Sequence, residues 1–222
     1  MSGLFARLKA DTAADWQAYT HHPFVNGLGD GTLAEGAFRH YLVQDYLFLI
    51  QFARAYALAV YKSDNLADMQ SAAETMNGIL NTEMQLHVGY CAGYGISAAE
   101  MEQAPEAPEC TAYTRFVLEA GMAGDVLDLH VALSPCVIGY GEIGARLAAD
   151  PATKRQDNPF LSWIEMYSGD DYMAVMAGAT QRLDRLGAER LTEARYARLA
   201  RLFATATRLE ADFWSMGLRA TG

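Results

Sequence analysis

The stretch His130–Leu147, with the sequence HVALSPCVIGYGEIGARL, decides how this chain folds. Its flanks predict a helix, yet the stretch holds one proline, three glycines and a cysteine. Pro135 removes one helical hydrogen bond and frees the carbonyl of Val131, at a cost of roughly 3 kcal/mol. Each glycine costs roughly 1 kcal/mol relative to alanine. The sequence therefore predicts a kinked helix that neighbouring elements can approach closely.

Two interpretations of this helix remain open on its residues alone. Cys136 directly follows the proline, and Tyr140 lies four positions further on, on the same helical face. A thiol beside a phenol in a strained helix is typical of a reactive site. In a tightly packed interior helix, by contrast, cysteine acts as a small hydrophobic residue.

Helical spacing continues on both sides of the stretch, and no strand-like alternation interrupts it. We expect a loop at residues 20–31 and a polar connection at residues 150–159. The sequence predicts one all-α domain spanning residues 1–222, with seven or eight helices. The main predicted helices are Leu4 to about Tyr19; Leu33 to about Tyr61, opened by a Thr32–Glu35 capping box; one capped by Ser63 or Asp64 that ends near Gly93–Gly95; a short one opened by Ser97 and Glu100; Cys110 to Met122; the central helix, capped by Asp125; Asp170 or Asp171 to Leu186, stopped by Gly187; and Thr192 to Met216.

The composition is that of an ordinary globular protein. Of the 222 residues, 51% are apolar and 20% are charged, with a net charge of −10. Such a charge repels phosphates, so we expect no nucleic-acid partner. Three irregularly spaced cysteines indicate a reducing compartment, the cytoplasm, rather than a disulfide framework. No secretory signal is evident and no segment approaches 18 uncharged apolar residues, so we expect no membrane span.

Two acidic residues lie in unusual surroundings. Asp45 sits in the apolar run YLVQDYLFLIQF, where it either lines a polar pocket or joins a structural network with Gln44 and Arg54. Glu210 has largely apolar helical neighbours, but Arg208 nearby is equally consistent with an exposed pair. The residues alone leave both choices open.

Motifs for other chemistries are missing. Glu83 and His87 are four apart and could share a metal, but no paired Glu-x-x-His pattern accompanies them. The sequence has no Cys-x-x-Cys, no His-Glu-x-x-His, no phosphate-binding glycine loop and no Gly-x-Ser-x-Gly. We therefore expect neither a metal nor another cofactor.

Five blocks together resemble the TenA/thiaminase II family. They occur in the family's order and span nearly the whole chain. They are HPFVNGLGDGTLAEGAFRHYLVQDYLFLIQFARAYA (22–57), ETMNGILNTEMQLHVGYCAGYGI (74–96), ALSPCVIGYGEIGARL (132–147), NPFLSWIEMYSGDDY (158–172) and EADFWSM (210–216).

The resemblance implies a haem-oxygenase-like helical fold without haem, usually a homotetramer. It also implies hydrolysis of aminopyrimidines from degraded thiamin to hydroxymethylpyrimidine, in many members with cleavage of thiamin itself. The family's nucleophilic cysteine falls on Cys136, its pyrimidine-binding carboxylate on Asp45 and its acid/base glutamate on Glu210. The family's aromatic pocket positions fall on Phe48, Tyr113, Tyr140 and Tyr167.

Other functions remain as alternatives. One is a metal-dependent oxidase on the same helical fold, which elemental analysis would reveal. Another is a cofactorless oxidase resembling pyrroloquinoline quinone synthase, which the net negative charge disfavours. The third is a non-catalytic pyrimidine-binding or regulatory protein, which turnover by purified protein would exclude.

Overall fold

The computed structural model describes residues 3–220, and these form helices joined by short turns, without a β-strand. This confirms the all-α prediction. Twelve α-helices are present within the described residues, more than the seven or eight expected. They are α1 (Leu4–Asp11), α2 (Ala13–Thr20), α3 (Pro23–Asp30), α4 (Glu35–Lys62), α5 (Leu66–Gly78), α6 (Met84–Gly93), α7 (Ala98–Gln103), α8 (Pro108–Ala123), α9 (Val126–Ala149), α10 (Leu161–Ser168), α11 (Asp170–Arg190) and α12 (Glu193–Arg219).

The central helix α9 contains the stretch that decides the fold, and it packs against α8, α10, α11 and α12. The Val131 carbonyl, which Pro135 leaves without its helical donor, accepts a hydrogen bond of 2.8 Å from the Ser134 hydroxyl. The Tyr19 hydroxyl donates to the Pro135 carbonyl at 3.2 Å. These side chains satisfy carbonyls of the perturbed turn, so the proline is accommodated inside the core.

The glycines of α9 lie where neighbours approach closely. A Cβ on Gly139 would overlap the Tyr19 ring, and one on Gly144 would lie 2.5 Å from the backbone carbonyl carbon of Tyr167. The close approach expected of this helix is therefore confirmed, and it brings α10 against α9.

By length and composition, α9 could cross a membrane, with a mean hydropathy of 1.3 over its most apolar window. The sequence predicts no uncharged apolar run of 18 residues, and α9 agrees with this because it contains Asp128, Glu142 and Arg146. Of that window, 89% is buried inside the protein, as in the core helix of a globular fold. The apolar length of α9 thus reflects its place at the centre of the bundle.

The loop predicted at residues 20–31 is wrong, because α3 occupies most of it. Pro23 stands in the first turn, where its missing N–H costs nothing, and the His22 ring accepts from the Phe24 amide. Gly31 ends the helix with a φ of 73°. Phe24 and Leu28 are fully buried, so tertiary burial supports a helix that the glycines disfavour.

The predicted helix starts are partly right. Ser97 and Asp125 form capping boxes at α7 and α9, and the Thr192 hydroxyl caps α12. The predicted capping box of Thr32 and Glu35 is absent. The Thr32 hydroxyl donates to Asp30 instead, and α4 begins without a side-chain cap.

Two further boundaries differ from the prediction. Asn65, rather than Ser63 or Asp64, caps α5 through a bond from the amide of the third helical residue. Gly187 lies inside α11 rather than ending it. The residue is a glycine for a packing reason, since a side chain there would overlap Leu4. A glycine required by packing thus resembled a glycine that ends a helix.

A π-helical turn joins α5 to α6. It covers Ile79–Glu83, and the chain stays helical from Leu66 to Gly93 across it. Single π-turns inside α-helices are frequent at functional sites, because the wider turn redirects side chains. Here the turn carries Glu83 and precedes His87 by one helical turn.

Candidate active site

A cavity of about 970 Å³ opens between α4, the α5–α6 segment and helices α9 to α11. Its size is within the range of small-molecule sites. Ionisable side chains on its wall include Asp45, Glu83, His87, His130 and Arg182, and aromatic ones include Tyr41, Trp163, Tyr167 and Tyr172.

Of the predicted site residues, Asp45 and Tyr167 line this cavity directly. The other predicted residues do not line it, although Val137, the residue after Cys136, does. They are Cys136, Glu210, Phe48, Tyr113 and Tyr140. Cys136 precedes Val137 and keeps part of its surface accessible, whereas Cys91 and Cys110 are completely buried. Of the three cysteines, Cys136 is therefore the one that keeps accessible surface.

Glu210 joins Cys136 to Tyr113. The Tyr113 hydroxyl donates to Glu210 Oε1 at 2.8 Å, and the Cys136 thiol lies close enough to this carboxylate for each group to shift the pKa of the other. Glu210 is only 2% exposed, so the alternative of a solvent-exposed pair with Arg208 is wrong. Arg208 instead reaches Asp15 at 3.0 Å.

The pKa of Glu210 is raised to about 8, mainly by burial, which outweighs the lowering effect of the hydrogen bond from Tyr113. The charge of Asp45 also contributes to the rise, and the contact with Cys136 opposes it. Burial likewise raises the pKa of the Cys136 thiol well above its ordinary value, and the charge of Glu210 adds to this. The thiol is therefore protonated at rest, and Glu210 can take its proton only when this carboxyl is ionised.

Asp45 belongs to the cavity rather than to a structural network. Gln44 hydrogen-bonds the backbone of Pro105 and Ala107, and Arg54 bonds to Gln51. Asp45 is 7% exposed, and burial raises its pKa to about 7.

Two neighbours of Asp45 are Glu83 and His87, which the sequence presents only as a possible metal-binding pair. His87 Nδ1 lies 3.5 Å from Asp45 Oδ2, and His87 Nε2 lies 2.8 Å from the Leu42 carbonyl oxygen. Burial raises the pKa of Glu83 to about 7, with a further contribution from the charge of Asp45. Their spacing of four residues was the signal that they share a helix face, but the sequence did not show that this face meets Asp45.

Aromatic rings enclose the site. Tyr140 packs edge-on against Tyr167 at 4.9 Å between ring centroids, and Tyr167 lies 4.5 Å from Trp163. The Trp163 indole N–H donates to the Tyr41 hydroxyl at 3.3 Å, which ties a further ring to this group.

Phe48 takes a supporting place. It packs 5.3 Å from the Tyr113 ring and 5.8 Å from Phe213, in the layer behind the cavity wall. Its contact with Tyr113 holds the phenol that donates to Glu210.

Comparison with solved structures supports the fold. A TenA family transcription regulator from Silicibacter sp. is 50% identical, with a TM-score of 0.90, covering 97% of this chain and 96% of that one. A domain of unknown function with a heme oxygenase-like fold from Shewanella denitrificans is 13% identical, with a TM-score of 0.74, covering 97% and 92%. The haem-oxygenase-like fold expected from the sequence is confirmed.

Sequence comparison gives the same family. An aminopyrimidine aminohydrolase from Halalkalibacterium halodurans is 39% identical over 202 residues, covering 90% of this chain and 89% of that protein. The model of the TENA/THI-4/PQQC family matches residues 10–220. The chain therefore belongs to the TENA/THI-4/PQQC family.

Proposed function

We propose that this protein hydrolyses aminopyrimidines formed by thiamin degradation, converting 4-amino-5-aminomethyl-2-methylpyrimidine and water to hydroxymethylpyrimidine and ammonia. The observation that carries the proposal is the buried Glu210, which accepts from Tyr113 and lies close to Cys136, behind the wall of a cavity lined by Asp45. The 39% identity to an aminopyrimidine aminohydrolase supports the same substrate class. Thiamin, with thiazole as the leaving group, is a second substrate of the same chemistry.

The reaction begins with nucleophilic addition. In molecules whose Glu210 is ionised, Cys136 passes its proton to this carboxylate. The Cys136 sulfur then forms a bond to the unsubstituted ring carbon while Asp45 protonates a ring nitrogen. An adjacent base is the required activation, since burial disfavours a thiolate at rest. Aromaticity is lost, which makes the ring electron-rich.

Elimination and hydration complete the turnover. The electron pair of the added ring expels the amine from the methylene carbon, Glu210 protonates it, and ammonia leaves. Water adds to the exposed methylene and gives one proton to Glu210. The carbon–sulfur bond then breaks, the ring becomes aromatic, Asp45 recovers its proton from the ring nitrogen, and Glu210 returns a proton to the sulfur. A pKa of about 8 suits Glu210 to both directions of transfer near neutral pH.

The test is turnover by purified protein. We expect Cys136→Ser to abolish ammonia release while retaining hydroxymethylpyrimidine binding, because the ring contacts lie on other residues. Cys91→Ser is the matched control, since Cys91 is buried in α6 and takes no part in the reaction. A serine variant with the wild-type rate would refute covalent catalysis. Wild-type protein that binds the pyrimidine without turnover would favour a regulatory role instead.

A comparison of two substrates on wild-type protein identifies the preferred one. Initial rates with thiamin and with 4-amino-5-aminomethyl-2-methylpyrimidine, at equal concentrations well below both KM values, give the ratio of kcat/KM values.

We also propose a cytoplasmic homotetramer. Large apolar side chains at the cavity rim remain exposed in the single chain: Leu86 is 62%, Val175 50% and Met166 47% exposed. A second copy that covers this rim would bury them. Three free cysteines fit a reducing compartment. Light scattering tests the assembly, and a monomer at micromolar concentration would contradict it.

A further inference from the structure

His87 holds a fixed orientation beside Asp45, although the reaction proposed above gives it no role. Its Nε2 lies 2.8 Å from the Leu42 carbonyl oxygen, three residues before Asp45 on α4. A carbonyl oxygen can only accept a hydrogen bond, so Nε2 carries a proton. In the neutral ring Nδ1 is then a bare acceptor.

This acceptor faces the Asp45 carboxyl. Nδ1 lies 3.5 Å from Oδ2, and both side chains are 10% exposed. An unprotonated nitrogen and an ionised carboxylate would repel each other at this distance, away from water. The arrangement is favourable when one proton lies between the two groups.

The surroundings favour leaving that proton on the carboxyl. Burial lowers the pKa of His87 and raises that of Asp45 to about 7, so both groups prefer their neutral forms. The ring of Tyr46 lies 6.5 Å from that of His87. The other ionisable groups that interact electrostatically with Asp45 are all acids, contributed by α4, the π-turn, α6, α8, α9, α10 and α12: Tyr41, Glu83, Cys91, Cys110, Cys136, Tyr140, Tyr167 and Glu210.

We propose that His87 is a positioning residue that keeps Asp45 protonated, so that the carboxyl offers the substrate one donor and one acceptor. The edge of a 4-aminopyrimidine presents an amino group that donates and a ring nitrogen that accepts. A carboxylic acid matches both, whereas a carboxylate would repel the ring nitrogen. The inference rests on the proposed function, because it takes the pyrimidine as the ligand of Asp45.

The His87 ring differs from an asparagine side chain in the hydrogen bonds that it can make to Asp45. The imidazole oriented by Leu42 can only accept from Asp45, but the side chain of an asparagine, placed near the Nδ1 position, can turn and donate. His87→Asn therefore stabilises the ionised carboxylate. A hydrogen bond to a charged group lowers the pKa of Asp45 by about one unit or more.

The experiment measures hydroxymethylpyrimidine binding by calorimetry between pH 6.5 and 9, which is independent of turnover. For a shift of one unit from about 7, we expect His87→Asn to weaken binding about threefold at pH 6.5 and about tenfold at pH 8.5. His40→Asn is the matched control, as His40 is a half-buried histidine that does not line the cavity. It should follow the wild-type curve.

A second variant separates this role from a structural one. Asp45→Asn keeps one donor and one acceptor without an ionisable group, so it should bind the ligand with little pH dependence in this range. When Asp45→Asn is already present, His87→Asn should cause no further pH-dependent loss of binding affinity. Uniform weakening by His87→Asn at every pH, or a loss that persists with Asp45→Asn, would overturn the inference. The proposed function would survive that result, whereas wild-type protein that binds no pyrimidine would overturn both.

Discussion

Glu210→Gln should stabilise this protein at alkaline pH while it removes activity. Glu210 is 2% exposed, and its pKa is raised from 4.5 to about 8. An unfolded chain releases this proton near pH 4.5, but the folded protein holds it until about pH 8. Glu210 therefore reduces the free energy of unfolding progressively as the pH rises between these values.

The magnitude follows from the two pKa values. Linkage gives a cost of about 4 kcal/mol at pH 8 and about 1 kcal/mol at pH 5. Glutamine is a neutral isostere whose oxygen still accepts the Tyr113 hydroxyl. The stability advantage of Glu210→Gln over wild type should thus grow by about 3 kcal/mol from pH 5 to pH 8.

The assay is urea unfolding followed by far-UV circular dichroism at both pH values. Glu102→Gln serves as the control, because Glu102 is exposed on α7 and its charge stays in water in the folded protein. The control should show no comparable change between the two pH values. An advantage of Glu210→Gln that stays constant or shrinks from pH 5 to pH 8 would refute the assignment of a buried, proton-holding glutamate.

Two further substitutions test the contacts around the site. Tyr113→Phe removes a hydrogen bond to the ionised form of Glu210, so the pKa of Glu210 should rise by about one unit. The limb of the pH–rate profile that reports Glu210 should then move to higher pH. A limb that stays in place or moves to lower pH would contradict this. Gly144→Ala should lower the free energy of unfolding by about 1–3 kcal/mol in thermal melts, because its Cβ would meet the Tyr167 backbone. Gly89→Ala, with open space around it, should be neutral or stabilising by up to about 1 kcal/mol, and equal melts for the two variants would refute the packing argument.

Local signals in the sequence predict local structure well. Ser97, Asp125 and Thr192 all cap helices as expected, since a capping side chain acts within three residues. The same kind of signal is wrong at Thr32, where a nearer partner, Asp30, takes the hydroxyl. The prediction that Gly187 ends a helix is wrong for another reason. Its glycine is required by contact with Leu4, which lies far away in the sequence.

The site depends on such distant contacts, so residue patterns alone left it undecided. Nothing near Glu210 in the sequence distinguishes a solvent-exposed pair from a buried acid, and the deciding partners, Tyr113 and Cys136, come from α8 and α9. His87 reaches Asp45 from α6, a helix that packs against α4. The family resemblance supplied candidates for most of these positions but not for His87, which became visible only as a contact between two helices.

Three acids share one apolar environment, and this explains how the site handles protons. Burial is the largest cause of the raised pKa of Asp45, Glu83 and Glu210, which lie at about 7, 7 and 8. The charge of Asp45 raises the other two, so ionisation of one carboxyl opposes ionisation of the next. The cavity wall and the buried layer behind it therefore hold transferable protons near neutral pH, as a reaction that moves protons between thiol, ring and leaving group requires. The same burial makes each ionised carboxyl costly to the fold, so the acids that perform the chemistry limit stability at alkaline pH.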